Sequence, residues 1–365
     1  MKLRKDKWRT VPLGEICKLE YGNNLTDKMR KGGSVPVYGS AGIVGWHDKP
    51  LTKSPTLIVG RKGSVGNVFY SDIPCFPIDT TYYVEETVCK ENLRWLELFL
   101  SNFNLRQLNM ATAVPGLNRN IAHLIPIPLP PLSEQKQIAA LFQSIETAME
   151  QVEGQEKHLK ALQKSLVNGL LSKEPEFGNL LNNKNCTATT FGEIAECDKK
   201  YPEHENEVER FVGLEWIEAD NFQLQGFGLV SNGTTFTKRF VKGDVLFGKR
   251  RAYLKKVAIA DFDGICSGDI LVIRAKGKKM LQGLLPYYIS ADAFIQHAVS
   301  TSAGSLSPRT KWKDLAELEV PIPDLKTQER ILEVLQQLDK TVNQIKQQKT
   351  TLKNLKQKLL NEILG

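Results

Sequence analysis

The sequence predicts an α+β protein: two mixed α/β domains related by a pseudo-two-fold, joined by two long helices that pair as an antiparallel coiled coil. Three observations carry this. First, Leu132 to Leu171 aligns without a gap on Leu325 to Leu364, at an offset of 193 in a 365-residue chain, and 12 of the 40 aligned positions are identical. Chance would supply roughly two or three, so the halves share ancestry. Second, apolar residues inside the repeat recur every seventh position: Ile138, Ile145, Val152, Leu159 and Leu166, then Ile331, Leu338, Ile345, Leu352 and Leu359. Third, before each repeat a stretch of about 130 residues alternates β-branched and aromatic runs with Gly and Pro, the pattern of short strands and turns.

The heptad spacing marks a coiled-coil seam rather than a globular-core helix. Phe142, Met149 and Leu162, then Leu335, Val342 and Leu355, fall between the heptad positions and are expected to share the seam. At about 1.5 Å per residue each helix spans roughly 60 Å. An amphipathic helix of this kind needs a packed partner, most simply the other copy. Glu146, Glu150, Glu153 and Glu156 on the first helix, facing Lys340, Lys346, Lys349, Lys353 and Lys356 on the second, favour antiparallel pairing with Val152 opposite Ile345.

The expected order is a domain over 1–131, a helix over 132–172, a linker over 173–190 with Pro175, Gly178 and an Asn-rich run, a domain over 191–324 and a helix over 325–365. In the first domain, strands are expected at Thr56–Val59, Asn67–Tyr70, Thr80–Val84 and Ile125–Leu129, with a helix at Leu93–Leu108. The second domain repeats this with strands at Asp244–Phe247, Val257–Ala260, Ile270–Ile273 and Leu318–Ile322 and a helix at Leu284–Val299. Turn-rich loops at Ala113–Asn120 and Ser302–Lys311 follow the helices. Pro130-Pro131-Leu132-Ser133-Glu134-Gln135 and Pro323-Asp324-Leu325-Lys326-Thr327-Gln328 stand where strand becomes helix: Pro needs no donor, Ser133 can cap, and acids suit the positive helix end.

Composition bounds the function. With 41% hydrophobic and 25% charged residues the chain is an ordinary globular protein. It has no apolar run near the roughly 18 residues of a membrane helix, so a cytoplasmic location without membrane contact is expected. Cys17, Cys75, Cys89, Cys186, Cys197 and Cys266 never approach a C-x-x-C spacing, which argues against zinc and against a disulfide framework. The 49 basic and 41 acidic residues leave a formal charge of +8, compatible with a polyanionic partner.

PPLSEQKQIA (Pro130 to Ala139) and its weaker copy PDLKTQERIL (Pro323 to Leu332) resemble the hallmark opening the helical regions of the specificity subunits of type I restriction-modification systems. VPVYGSAGIVGW (Val35 to Trp46), LIVGRKGSVGNVFY (Leu57 to Tyr70), PIDTTYYV (Pro77 to Val84), the segment Lys242 to Arg274 and SAGSLSPRTKW (Ser302 to Trp312) resemble that family's target recognition domains. The likeness runs over nearly the whole chain. The second copy departs by Asp324 and Thr327, which touches only the geometry of that helix start.

The resemblance implies a non-catalytic reader of double-stranded DNA. Each domain would read one half of a bipartite target, the helices would act as a ruler and recruit two modification (methyltransferase) subunits, and restriction subunits (ATPase and nuclease) would join. A two-fold reader needs modules about one helical turn apart, roughly 34 Å, and a rigid coil can set such a spacing where a flexible linker would not. Two other readings stand beside this one: a subunit guiding a fused methyltransferase-nuclease, and a coiled-coil scaffold that binds proteins only.

Candidate DNA contacts are Arg61, Lys62, Gly63 and Ser64 in a Gly-rich turn after a strand, where glycine would let the backbone approach a phosphate. The second copy offers Lys249, Arg250 and Arg251 after Gly248. Lys255, Lys256, Arg119, Arg309 and Lys311 lie in neighbouring loops. Asp79 and Asp269, before strands, read as turn-closing carboxylates rather than base contacts. The chain lacks an Asn-Pro pair, a P-loop, G-x-S-x-G and H-E-x-x-H, so no catalytic residue, metal or cofactor is expected and chemistry is assigned to partners.

Overall fold

The computed structural model describes residues 3–108, 116–182, 185–198 and 208–365. The expected loop at Ala113–Asn120 is therefore described only from Gly116, and 183–184 of the expected linker lie outside the described residues. The chain divides into two compact units, Met1–Glu153 with Gln347–Gly365, and Gly154–Lys346. Each unit holds one α/β body together with parts of both long helices.

In the first unit the chain runs through β1 (Arg9–Pro12), α1 (Leu13–Ile16), β2 (Glu20–Tyr21), β3 (Val35–Gly39), β4 (Gly42–His47), β5 (Thr56–Gly60), β6 (Val68–Ser71), β7 (Phe76–Pro77) and β8 (Thr81–Glu85). It continues through α2 (Leu93–Asn102), α3 (Arg119–His123) and β9 (Pro126–Leu129) into α4 (Leu132–Leu170). The main sheet has the order β2-β8-β5-β6, a second β4-β3-β7, and β1 pairs with β9. β5 is buried at every position because both its faces are covered. Leu57 and Val59 enter the main core while Ile58 joins Tyr38 and Cys75 on the other side. Asn92 caps α2 by accepting from the Trp95 N–H at 2.9 Å. The helix expected to reach Leu108 ends at Asn102, where Phe103 turns extended, and a short 3-10 turn covers Leu105–Leu108.

The second unit repeats the plan. β10 (Cys186–Thr190), α5 (Phe191–Ile194), β11 (Ala195–Cys197), β12 (Arg210–Val212), β13 (Gly228–Leu229), β14 (Lys238–Phe240), β15 (Val245–Gly248), β16 (Val257–Ile259), β17 (Gly264–Cys266) and β18 (Ile270–Ala275) precede α6 (Leu285–Ser290) and α7 (Asp292–Ser300). Then come α8 (Trp312–Ala316), β19 (Glu319–Pro323) and α9 (Leu325–Leu364). Sheets β11-β18-β15-β16 and β13-β12-β17-β14 form, and β10 pairs with β19 as β1 does with β9. In β15, Val245 and Phe247 face one core and Leu246 the other. The helix expected over Leu284–Val299 is two helices. Ala291 is extended between them, and the Asn168 amide oxygen accepts from Asp292 N–H at 2.9 Å, starting α7 afresh. The segment read as a linker is part of the body: Phe177 and Leu181 are buried in its core and Cys186–Thr190 is a strand.

Both long helices form at the expected lengths, 39 and 40 residues. In the first unit Ile138, Phe142 and Ile145 at the start of α4 share a core with Leu360, Ile363 and Leu364 at the end of α9. In the second, Val167 and Leu170 at the end of α4 share one with Ile331 and Leu335 at the start of α9. The pairing is antiparallel in each. Of the expected seam, Ile138, Ile145, Val152 and Ile331 are buried and Leu159, Leu166, Leu338, Ile345, Leu352 and Leu359 half-buried.

Leu162 and Leu355 are exposed instead of seamed. Each stands three residues after a heptad position, whereas the second seam row stands four after, as at Phe142, Leu170, Leu335 and Ile363. After Met149 and the buried Val342 that row turns polar, at Glu156, Gln163, Lys349 and Lys356, and polar members of it pair across the helices. Lys356 reaches Glu146 at 2.6 Å and Lys349 reaches Glu153 at 3.0 Å in the first unit, and Gln163 meets Asp339 in the second. In this register Thr350, not Ile345, stands level with Val152. The shift has a simple cause: glutamates seven apart meet lysines seven apart.

The duplicated motif has a role that helix-start statistics do not disclose. Gln135 and Gln328 are fully buried. Gln135 donates to Pro130 C=O at 2.9 Å and accepts from Asn92 N–H at 2.9 Å. Gln328 donates to Pro323 C=O at 2.9 Å and accepts from Leu281 N–H at 3.0 Å. Each ties a strand end and a second chain segment to the first turn of a long helix. Ser133 is exposed, while in the second copy Asp324 caps, accepting from Thr327 N–H at 3.0 Å.

All six cysteines are free, with Cys17, Cys75 and Cys266 buried. Among the described residues no helix is long and apolar enough to cross a membrane.

Candidate nucleic-acid interface

In the first unit the turn after β5 is stitched to two distant segments. Arg61 and Lys62 N–H both donate to Thr80 C=O, at 2.9 and 3.1 Å, and Arg61 C=O accepts from Leu117 N–H at 2.9 Å. Lys62 bridges to Gly116, which brings the segment before α3 alongside. The glycines serve the turn. A Cβ on Gly60 would stand 2.4 Å from Ser64 C=O, and Gly66, at φ +79°, would press one to 2.8 Å from Leu105. Gly63 is also left-handed, at φ +76°, but its Cβ position is open, with only Ser40 Oγ at 3.4 Å. Ser64 N–H donates to that Ser40 hydroxyl at 3.3 Å.

Above this backbone four side chains converge: Tyr21, Arg61, Tyr82 and Arg119. Arg61 lies 4.7 Å from the Tyr21 ring centre and 5.8 Å from that of Tyr82, and donates to Asp79 C=O at 3.0 Å. Arg119, from the first turn of α3, lies 4.8 Å from the Tyr21 ring. Tyr82 is buried and donates its hydroxyl proton to Leu117 C=O at 2.9 Å. A recess of about 410 Å³ opens here, lined by Tyr21, Arg61, Lys62, Asn118, Arg119 and Asn120. Lys62 is exposed at its edge.

Beneath it His123 holds β2 in position, accepting from Leu19 N–H at Nε2 at 3.1 Å. Burial, then the Arg119 and Lys18 charges, hold its pKa below the ordinary 6.5. The depressed pKa means that its contribution to stability is complete above pH 6.5 and is lost as pH falls below that, because imidazolium cannot accept the Leu19 proton. Acidification through this window is therefore expected to lower the protection factor of the Leu19 amide, its exchange rate taken relative to the intrinsic rate at each pH. His123→Gln, which accepts at any pH, should abolish that dependence, and an unchanged profile would refute the assignment.

The second unit builds the same cradle with other chemistry. Lys249 N–H donates to Asp269 C=O at 2.9 Å, Lys249 C=O accepts from Thr310 N–H at 3.1 Å, and Arg250 bridges to Arg309. Here the cations are answered from within. Arg309 grips the Asp269 carboxylate with two donors, at 2.7 and 3.3 Å, and Arg250 approaches it at 3.6 Å while donating to Ser307 Oγ at 2.9 Å. Hydrogen bonding by Arg309 holds the Asp269 carboxyl below its ordinary range. Arg251, left-handed at φ 54°, donates its N–H to Pro308 C=O at 2.8 Å. Lys311 is exposed on the same segment, directly before α8.

Lys255 and Lys256 are placed elsewhere. Lys256 is half-buried, donating to Leu214 C=O at 2.6 Å and Ile217 C=O at 2.8 Å, and Lys255 pairs with Asp292 at the start of α7. The carbonyls at a 3-10 turn over Leu214–Trp216 and a helix start draw both ammonium groups inward. Tyr21 was missed by sequence reasoning, since β2 is two residues long and lies far from Arg61 in the chain; no local pattern marks it. Among the described residues no cluster of three His, Cys, Asp or Glu side chains is placed to hold a metal ion.

One sequence model, that of the type I restriction modification DNA specificity domain, matches the chain twice, over residues 5–161 and 183–354. The chain belongs to this family. Among curated relatives of this specificity-subunit family, the type I restriction enzyme EcoDI specificity subunit of Escherichia coli is 26% identical over 401 aligned residues, covering 97% of this chain and 87% of the relative. The MjaVIII specificity subunit of Methanocaldococcus jannaschii is 23% identical, covering 71% of this chain and 66% of its own. The fold of the type I restriction-modification S subunit from M. genitalium is shared at a TM-score of 0.65 and 17% identity, over 99% of this chain and 97% of that one. The two cradles thus lie one in each match to the specificity domain.

Proposed function

We propose that this chain is the non-catalytic specificity subunit of a cytoplasmic type I restriction-modification complex. Its recognition domains, 1–131 and 191–324, each read one half of a bipartite DNA target. Segment 173–190 leads from the first long helix into the second domain and packs as part of its body, and the long helices set the spacer and recruit two methyltransferase subunits, with restriction subunits joining them. The observation that supports this best is the duplicated cradle, stitched by the same backbone hydrogen bonds and carrying cations in each unit. Arg61, Lys62, Arg119, Lys249, Arg250, Arg251, Arg309 and Lys311 are the contacts we assign, with Gly63 and Ser64 offering open backbone beside them. Lys255 and Lys256 are left out because their ammonium groups are engaged inside the unit.

Exchange of residues 1–131 for the matching segment of a relative tests this. The assembled methyltransferase complex is expected to methylate a site altered in one half only. A methylation pattern unchanged in both halves would overturn the reading.

A further inference from the structure

The two cradles differ in how their charge is balanced, and the first carries a further inference. Among the described residues neither Arg61 nor Arg119 has a carboxylate partner, whereas Arg309 and Arg250 in the second unit share Asp269. Both first-unit guanidinium groups lie against one ring, Tyr21, at 4.7 and 4.8 Å, and Arg61 is anchored further on Asp79 C=O. A guanidinium held over a ring by a cation–π contact loses much of its freedom, so its remaining donors are restrained at the recess before any ligand arrives. The recess between them therefore presents a restrained array of planar donors without an internal acceptor charge.

Its wall adds acceptors of another kind. Asn118 and Asn120 line the same recess. The Asn118 amide oxygen is occupied by Asn120 and Ile121 N–H groups, at 2.9 and 3.3 Å, but the Asn120 side chain is exposed and offers both a donor and an acceptor. A phosphate presents acceptors alone. A G·C pair presents two adjacent acceptors, O6 and N7, on guanine and one donor, the amino group, on cytosine along its major-groove edge. An arginine fork matches the guanine pair, and an amide oxygen matches the neighbouring amino group.

Resting on the proposed role of the chain as a DNA reader, we propose that the Tyr21–Arg61–Arg119 recess reads one G·C pair, so that the half-target of the first unit holds a guanine at one defined position. Arg61 and Arg119 supply the forks, Tyr21 restrains them, and Lys62 at the edge contacts backbone phosphate.

The test uses the full chain assembled with its methyltransferase subunits, acting on a randomised DNA library whose methylated products are sequenced. The wild type is expected to require G·C at one position of the half-target that changes on exchanging residues 1–131. Arg61→Ala and Arg119→Ala should each relax that position by about tenfold to a hundredfold and leave the others unchanged. Arg119→Lys keeps the charge and loses the fork, so it should relax the same position while leaving the salt dependence of binding intact. Lys62→Ala should weaken all sequences alike and lower the salt slope by about one. Full guanine discrimination by Arg119→Lys, or a reduced salt slope without relaxation in Arg119→Ala, would make the recess a phosphate clamp and overturn the inference. Relaxation at an A·T position would overturn it too. A wild-type complex indifferent to sequence would instead sink the DNA-reading role itself, and this inference with it.

Discussion

Raising monovalent salt from 50 to 200 mM is expected to weaken target binding by the assembled complex by on the order of 10³-fold. The figure follows from the two cradles. Lys62, Arg61 and Arg119 in one unit and Lys249, Arg250, Arg251 and Lys311 in the other stand on segments locked together by backbone hydrogen bonds. With Arg61 and Arg119 assigned to base edges, about five of these cations neutralise phosphates; the logarithmic slope is then roughly −4.5, and a fourfold rise in salt costs a little under three decades. Fluorescence anisotropy across that salt range gives the slope directly. A slope near zero would remove the electrostatic basis of the reading. The second cradle should contribute less per cation than the first, because Asp269 already neutralises part of its charge. Asp269→Asn is therefore expected to steepen the slope.

Gln135→Ala is expected to destabilise the first unit by about 3 kcal/mol, and Gln328→Ala the second by a similar amount. The first truncation strips a hydrogen-bond partner from Pro130 C=O and Asn92 N–H, and the second from Pro323 C=O, Lys279 C=O and Leu281 N–H, at sites where the glutamine itself is fully buried. Leaving a buried polar group unpaired costs about 1–3 kcal/mol, and two backbone groups at Gln135 and three at Gln328 are exposed to that penalty. Gln135→Glu should do little better, since a carboxylate keeps the Asn92 contact but cannot donate to Pro130 C=O and faces Glu91, which accepts from the Gln135 amide at 2.6 Å. Hydrogen exchange separates the two units: Gln135→Ala should accelerate exchange at the Asn92 amide and spare Leu281, and Gln328→Ala the reverse. Equal protection in variant and wild type would show that the motif is only a helix start.

Much of the architecture follows from local pattern. The heptad repeat located both long helices, because a stripe every seven residues can be buried only by a helical partner. The runs at Thr56 to Val59 and Asp244 to Phe247 marked strands, which the structure covers on both faces. Local pattern failed where a tertiary partner supplies what the sequence lacks. Asn168, on α4, starts a new helix at Asp292, so one expected helix became two. Leu162 and Leu355 looked like seam residues by composition, yet their position on the helix turns them outward, while Gln163 and Lys356 one residue on face the partner helix.

The sequence by itself determined the duplication, the family, the length and direction of the long helices, and which turns carry cations, since each of these is written in spacing along one segment. Tertiary structure decided which cations gather and which are consumed. Arg61 and Arg119 meet only because Tyr21, on a strand far from both in the chain, offers one ring to two guanidinium groups, and Lys256 is lost to the interior because two carbonyls wait there. Such outcomes depend on non-local strand pairing, and a guanidinium or an ammonium goes to whichever partner that pairing brings within hydrogen-bond reach.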